Sequence, residues 1–293
     1  MILPKEQLAK IRRLELKTRK LAVEILSGAY HSVYKGRGLD FEEVRAYIPG
    51  DDVRTIDWNV TARTGITHIR RYREERELSF VIMVDVSASG LLGSGAQNKR
   101  ELAAEIASSL AFSALKNNDR VALILFSDRV ERFIPLGKGQ PHVFRLIKEI
   151  LYTEPKGAGT RIGAGLDFLN KVFPRRAVVM LVSDFLDDTY ERQLKTTSRR
   201  HDLLGIQIYD PRERELPDVG WICLRDAETG EVVEVNTSDP KVRARFATGS
   251  SALREKTRTL LRRTRTDAVE IPTSSNYHLL LRRFFDRRAS HSR

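Results

Sequence analysis

The sequence predicts an α/β protein: a doubly wound, mostly parallel sheet preceded by a small N-terminal β-containing module. Apolar runs that stop at small polar residues recur near 79–85, 121–126, 131–136, 177–182 and 203–209. Runs of this kind, rich in β-branched residues and without polar alternation, are strands buried on both faces. Amphipathic segments near 98–116, 141–152, 161–172 and 188–200 alternate with them. Such alternation makes βαβ units, with helices covering both faces of a parallel sheet.

Residues 4–26 open the chain as an amphipathic helix, with Ile11, Leu14, Leu21 and Ile25 near heptad spacing. This helix is expected to dock on the core. Between residues 28 and 77 the pattern changes to short alternating segments, with half-exposed strands at 39–45 and 66–72. Pro49-Gly50-Asp51-Asp52 reads as a turn between them, Trp58 as a core anchor and Asp57 as a hydrogen-bonding turn residue. Asp188 followed by Glu191 predicts a capped start for the helix near 188–200. Segments 220–224 and 231–235 flank Glu228-Thr229-Gly230 as a hairpin. Asp239-Pro240 places a capping carboxylate before a first-turn proline and opens a basic helix to about 263. A strand at 268–271 and a helix at 277–287 close the chain. The organisation expected is a helix (1–27), a small β-containing module (28–77), a core (78–210) and a completing segment (211–293).

With 293 residues and 41% hydrophobic content, the chain can bury a sizeable core, which excludes wholesale disorder. Cys223 is the only cysteine, so no intramolecular disulfide forms and a reducing compartment is expected. No apolar run approaches bilayer length and the N-terminus lacks a signal-peptide core. A cytoplasmic protein is therefore expected. The net charge of +12 is dispersed over the N-terminal helix, residues 241–265 and Arg282, Arg283, Arg287 and Arg288, while 210–239 is acidic. Charge spread in this way reads as solvated helix faces, and nucleic-acid binding through 241–265 is kept as a minor alternative.

The chemistry concentrates where strands end. Asp85-x-Ser87-x-Ser89 follows the first buried strand, and Asp184 ends another. Thr160 stands in the glycine-rich segment 157–166, which runs into a helix. Open α/β sheets place ligand sites at the C-terminal ends of their strands. Two carboxylates and three hydroxyls there form an all-oxygen donor set for Mg²⁺, or Mn²⁺, with waters retained. The bland alternative is that Ser87, Ser89 and Thr160 only cap helices. The glycine pattern fits neither G-x-G-x-x-G nor a phosphate-binding P-loop, and no zinc spacing or thiol nucleophile is evident.

Asp85, Ser87, Ser89, Thr160 and Asp184 together resemble the metal-ion-dependent adhesion site of von Willebrand factor A domains, a doubly wound, Rossmann-type fold. That resemblance implies that the hydroxyls bind the metal, that the carboxylates act directly or through water, and that a partner carboxylate completes the shell. The segments Gly36-Arg37-Gly38-Leu39-Asp40-Phe41, 47–58, Arg70-x-Tyr72 and 279–285 resemble the bacterial domain of unknown function 58. This second resemblance covers nearly the whole chain and implies a MoxR-type AAA+ ATPase, or its client, as protein partner. Many relatives carry N-terminal transmembrane helices, which this sequence lacks. The function expected is a non-enzymatic, metal-dependent interaction module. A Mg²⁺-dependent, phosphatase-like hydrolase with Asp85 as nucleophile is the alternative, although Ser87 and Ser89 stand where a second acid would be needed.

Overall fold

A computed structural model describes residues 4–21, 40–73, 77–95, 97–157, 159–226 and 230–291. Ile25, the stretch 36–39 and the hairpin tip at Glu228 and Thr229 lie outside them. Helix α1 (Lys5–Leu21) comes first, then strands β1 (Asp40–Ala46) and β2 (His68–Arg73), with the short helix α2 (Trp58–Thr64) between them. The remaining elements are β3 (Ser79–Asp85), α3 (Lys99–Lys116), β4 (Arg120–Phe126), β5 (Val130–Gly137), α4 (Gln140–Tyr152) and α5 (Ile162–Val172). They continue as β6 (Val178–Ser183), α6 (Glu191–Arg200), β7 (Asp202–Tyr209), β8 (Trp221–Arg225), β9 (Val232–Asn236), α7 (Pro240–Arg263), β10 (Asp267–Pro272) and α8 (Tyr277–His291).

Six strands form one sheet in the order β10-β7-β6-β3-β4-β5. All neighbours are parallel except β4 and β5. Only residues 127–129 join β4 to β5, far too few for a crossover, so β5 must run antiparallel. In β3 every residue after Ser79 is buried, and alternate side chains enter opposite layers. Phe80, Ile82 and Val84 pack with residues of α1, α3, α4 and α8. Val81 and Met83 pack with residues of α5 and α6 and with Leu261 of α7. The continuous apolar run is thus explained by two cores, one on each face.

Helix α1 docks as expected, burying Ile11 and Leu14, with Lys17 bonded to Glu105 of α3 at 2.7 Å. The strand pair β1–β2 stands as a separate two-stranded antiparallel sheet. Asp57 caps α2, accepting from the backbone of Asn59 (3.0 Å) and Val60 (3.2 Å) and from Arg70 Nε (2.7 Å). The Arg70 hydrogen bond holds its carboxyl down at about 2. Trp58 is not a core anchor: it is 70% exposed. With Asp57 turned inward as the cap, the next residue begins a helix that buries none of its side chains.

The capped start expected at Asp188 also fails. Helix α6 begins at Glu191 after Tyr190, whose side chain makes no capping bond and is buried in the second core. Asp188 pairs instead with Lys256 of α7 at 2.8 Å. Asp187 does the local work, accepting from the backbone of Thr189 and from Ile162 of α5, each at 2.8 Å. Burying a tyrosine ring outweighed a cap worth about 1 kcal/mol. The cap at Asp239 holds, with Lys241 N donating to its carboxylate at 2.8 Å and Pro240 in the first turn. No helix among the described residues is long and apolar enough to cross a membrane.

His278 of α8 is buried against the Tyr277 ring at 3.6 Å, and neither of its ring nitrogens has a partner among the described residues. Burial, aided by the Lys17 charge, lowers its pKa from 6.5 to about 4. The unfolded chain takes up a proton that the folded one refuses, so His278 costs stability as pH falls through that window. A His278→Leu variant should flatten the acid limb of the stability profile by about 1–2 kcal/mol after solvent screening. Urea unfolding at pH 7.5 and 4.5 measures this; equal acid sensitivity in both proteins would refute it.

Candidate functional site

The site forms where the chain reverses its winding. From β3 the chain builds outward through β4 and β5; it later returns to the other side of β3 and builds through β6, β7 and β10. The crevice between β3 and β6 is therefore the topological switch point. Parallel pairing sets Val84 opposite Val182, so Asp85 and Asp184 emerge from adjacent strand ends.

Asp85 Oδ1 accepts from Ser87 N at 3.0 Å, and Oδ2 accepts from Ser183 Oγ at 2.7 Å. The chain then enters a short 3-10 turn, Ala88–Leu91, with Ser87 at the capping position. Ser87 makes no side-chain cap bond; its Oγ lies 3.1 Å from Ser89 Oγ, which donates to Asp184 Oδ2 at 2.9 Å. All four side chains are buried. The capping alternative for Ser87 is thereby removed. After Asp184, Phe185 adopts a left-handed conformation (φ 61°) with its ring in the second core. That turn brings Leu186 N back to Asp184 Oδ1 at 3.2 Å and Phe185 N to Ser183 Oγ at 3.0 Å. A left-handed backbone at a buried aromatic residue is strained and persists only where its surroundings fix it.

Thr160 is half-buried at the same sheet edge. Its loop is fixed by Arg161 N bonding to Ser127 O at the end of β4 (2.9 Å) and by Ile162 N bonding to Asp187 (2.8 Å). Arg161, not Thr160, holds the capping position of α5. At Gly157 a Cβ would come within 2.4 Å of Ser127 Oγ, so a glycine lets this loop approach β4 closely. The hydrogen bonds join Asp85, Ser87, Ser89 and Asp184 into one cluster, and Thr160 is carried to that edge by its loop.

Sequence reasoning missed the two cations beneath the cluster. Lys99 Nζ, on a side chain only 4% exposed, lies 2.8 Å from Asp184 Oδ2 and 2.6 Å from Glu213 Oε1. Burial opposes its charge, but Asp184 and Glu213 outweigh burial and raise its pKa above the ordinary value. Arg100 is buried beside it, donating to Thr153 O at 2.6 Å and Val86 O at 3.3 Å, while its Nε has no partner among the described residues. Both cations open α3, where the helix dipole disfavours positive charge. That misfit was the available sequence signal: cations in a first turn need carboxylates nearby.

Burial, reinforced by the charge of Asp184, pushes the Asp85 carboxyl up to about 7 against the hydrogen bonds from Ser87 and Ser183. Asp210, the strand-end carboxylate of β7, is taken up structurally, accepting from Ser94 N (2.8 Å), Ser94 Oγ (2.6 Å) and Thr273 Oγ1 (3.1 Å). Among the described residues no group of three or more His, Cys, Asp or Glu is arranged to hold a metal. A cation here would depend on hydroxyl oxygens, and the donor set of two carboxylates and serine hydroxyls suits a hard ion.

The protein family of unknown function DUF58 matches residues 43–256. Uncharacterized proteins of Mycobacterium bovis and Mycobacterium tuberculosis are each 35% identical over 249 residues, covering 84% of this chain and 78% of theirs. Among solved structures, the conserved hypothetical protein BatB from Bacteroides thetaiotaomicron overlaps 73% of this chain and 99% of its own, at 16% identity and a TM-score of 0.47. The VWA domain of SpRpn10 overlaps 72% of this chain and 95% of its own, at 14% identity and a TM-score of 0.36. The extent and identity of the sequence matches make this chain a member of the DUF58 family.

Proposed function

We propose that this chain is a non-enzymatic protein-interaction module. In this reading the Asp85–Asp184 edge holds a divalent cation and receives a carboxylate from a partner protein. The observation that carries it is the buried relay Ser87–Ser89–Asp184 beside Asp85, built from hydroxyls that cap nothing. Ser87 and Ser89, with Thr160 from its loop, would ligate the ion. Asp85 and Asp184, whose oxygens already accept hydrogen bonds, would orient its waters. Bound there, Mg²⁺ (or Mn²⁺) would offer an open position to a hard oxygen ligand. A MoxR-type AAA+ ATPase is the first partner to test, on the family resemblance. The raised pKa of Asp85 favours one second reading, a metal-dependent hydrolase; metal-dependent phosphate release from generic phosphomonoesters would establish it in place of the first.

Wild-type protein should take up Mg²⁺ in isothermal titration. Asp85→Asn and Ser87→Ala should weaken uptake at least tenfold, about 1.4 kcal/mol, while leaving the circular-dichroism spectrum unchanged. Undiminished uptake in folded variants would sink the metal reading.

The Asp85 carboxyl near 7 fixes the pH dependence. Without metal the fold favours protonated Asp85, so this group's contribution to stability is lost as pH rises from about 4 to about 7. A cation competes with that proton, so Mg²⁺ affinity should climb about tenfold per unit up to pH 7 and level off above it. Titrations at pH 6, 7 and 8 read this slope, and a flat profile contradicts it.

Lys99→Met removes the cation buried between Asp184 and Glu213 and should cost about 3 kcal/mol. Because Mg²⁺ would offset the negative charge left unpaired, it should raise the unfolding midpoint of Lys99→Met more than that of wild type. Equal Mg²⁺ effects on the two would separate Lys99 from the cation site.

A further inference from the structure

Beside Asp184 opens a groove of about 640 Å³, walled by the ends of β6 and β7, the β8–β9 hairpin and α7. Its floor is apolar: Leu186, Leu216, Leu224, Val235, Phe246 and Leu253 line it. Leu186 and Leu253 remain 52% and 39% exposed. The surface continues past the groove along the hairpin. Val233 is paired with Leu224 across the ribbon, on the same face, and is itself 51% exposed. An apolar groove that continues as exposed apolar side chains along a ribbon suits a chain segment.

The charges along the wall choose the segment. Arg214 is held by Glu270 at 2.7 Å and lies 3.1 Å over the Tyr209 ring, so it forms a fixed side of the groove. Arg245 and Arg254 also line the groove and form no ion pair with any described residue. Asp184 and Glu213, which also line the groove, are already paired with Lys99. The free charge facing the groove is therefore positive, over an apolar floor.

We propose that this groove docks an acidic segment of a partner protein, its apolar side chains on the floor and its carboxylates on Arg245 and Arg254. The inference deepens the proposed function, and it rests on that reading only in placing one carboxylate of the segment at the Asp184 end. The apolar floor supplies affinity, and the two arginines select against basic partners.

Fluorescence anisotropy with three labelled peptides of about twelve residues tests this. One alternates leucine with glutamate, one leucine with lysine and one serine with glutamate. The leucine–glutamate peptide should bind the full chain at least tenfold more tightly than either other peptide. The double variant Arg245→Glu/Arg254→Glu should reverse the preference toward the lysine peptide, and Arg245→Gln/Arg254→Gln should abolish the preference without reversing it. Unchanged thermal midpoints establish that these substitutions, at exposed Arg245 and half-buried Arg254, leave the fold intact. Equal binding of the serine–glutamate peptide, or no response to the arginine variants, overturns the groove proposal. EDTA separates the two readings. Arginine-dependent binding that survives EDTA unchanged upholds the groove and fails the cation site. Binding lost in EDTA but indifferent to the arginines does the reverse.

Discussion

The parallel register between β3 and β6 governs the rest of this structure. It is set by two cores at once, because alternate residues of both strands enter opposite layers. A slip of one residue would exchange every side chain between those layers. The same register brings Asp85 and Asp184 to adjacent strand ends, where neither is well solvated and each feels the other's charge. The serine relay, the left-handed Phe185 and the buried Lys99 are local answers to that enforced proximity.

Those answers are costly in isolation. A buried lysine loses hydration that its partners must repay through geometry, and removing one member leaves the others exposed in a low-dielectric interior. Here Lys99 has two carboxylates within hydrogen-bond distance, and its backbone starts a helix whose dipole repels it. Asp85, by contrast, has no ion pair among its hydrogen bonds and shifts its titration upward instead. The cluster thus combines one fixed internal cation with one carboxylate whose pKa is pushed up to about 7, so its charge changes with pH near neutrality.

Much of this was legible in the sequence. The four central parallel strands, the docking helix α1 and the capped start of α7 follow from runs, spacings and an Asp-Pro pair whose physics is local. Asp85, Ser87, Ser89 and Asp184 were legible because polar residues that terminate buried strands have few other places to go. The failures also have local causes. Trp58 reads as a core residue by type, but Asp57 takes the inward direction as the α2 cap and hydrogen-bonds to Arg70. Asp188 matches a capping pattern, but the packing of Tyr190 decides where α6 begins.

The sequence by itself determined most strand and helix segments, α2 excepted, and which strand ends carry oxygen-bearing side chains, since periodicity and turn chemistry act over a few residues. Tertiary structure alone decided the strand order, and with it which ends are neighbours. It also decided that Lys99 reaches Asp184 across 85 positions of sequence, and that α7 and the hairpin leave an apolar groove at the same edge. Such contacts join residues far apart in the chain, so their energies depend on burial and on partners that no local pattern encodes.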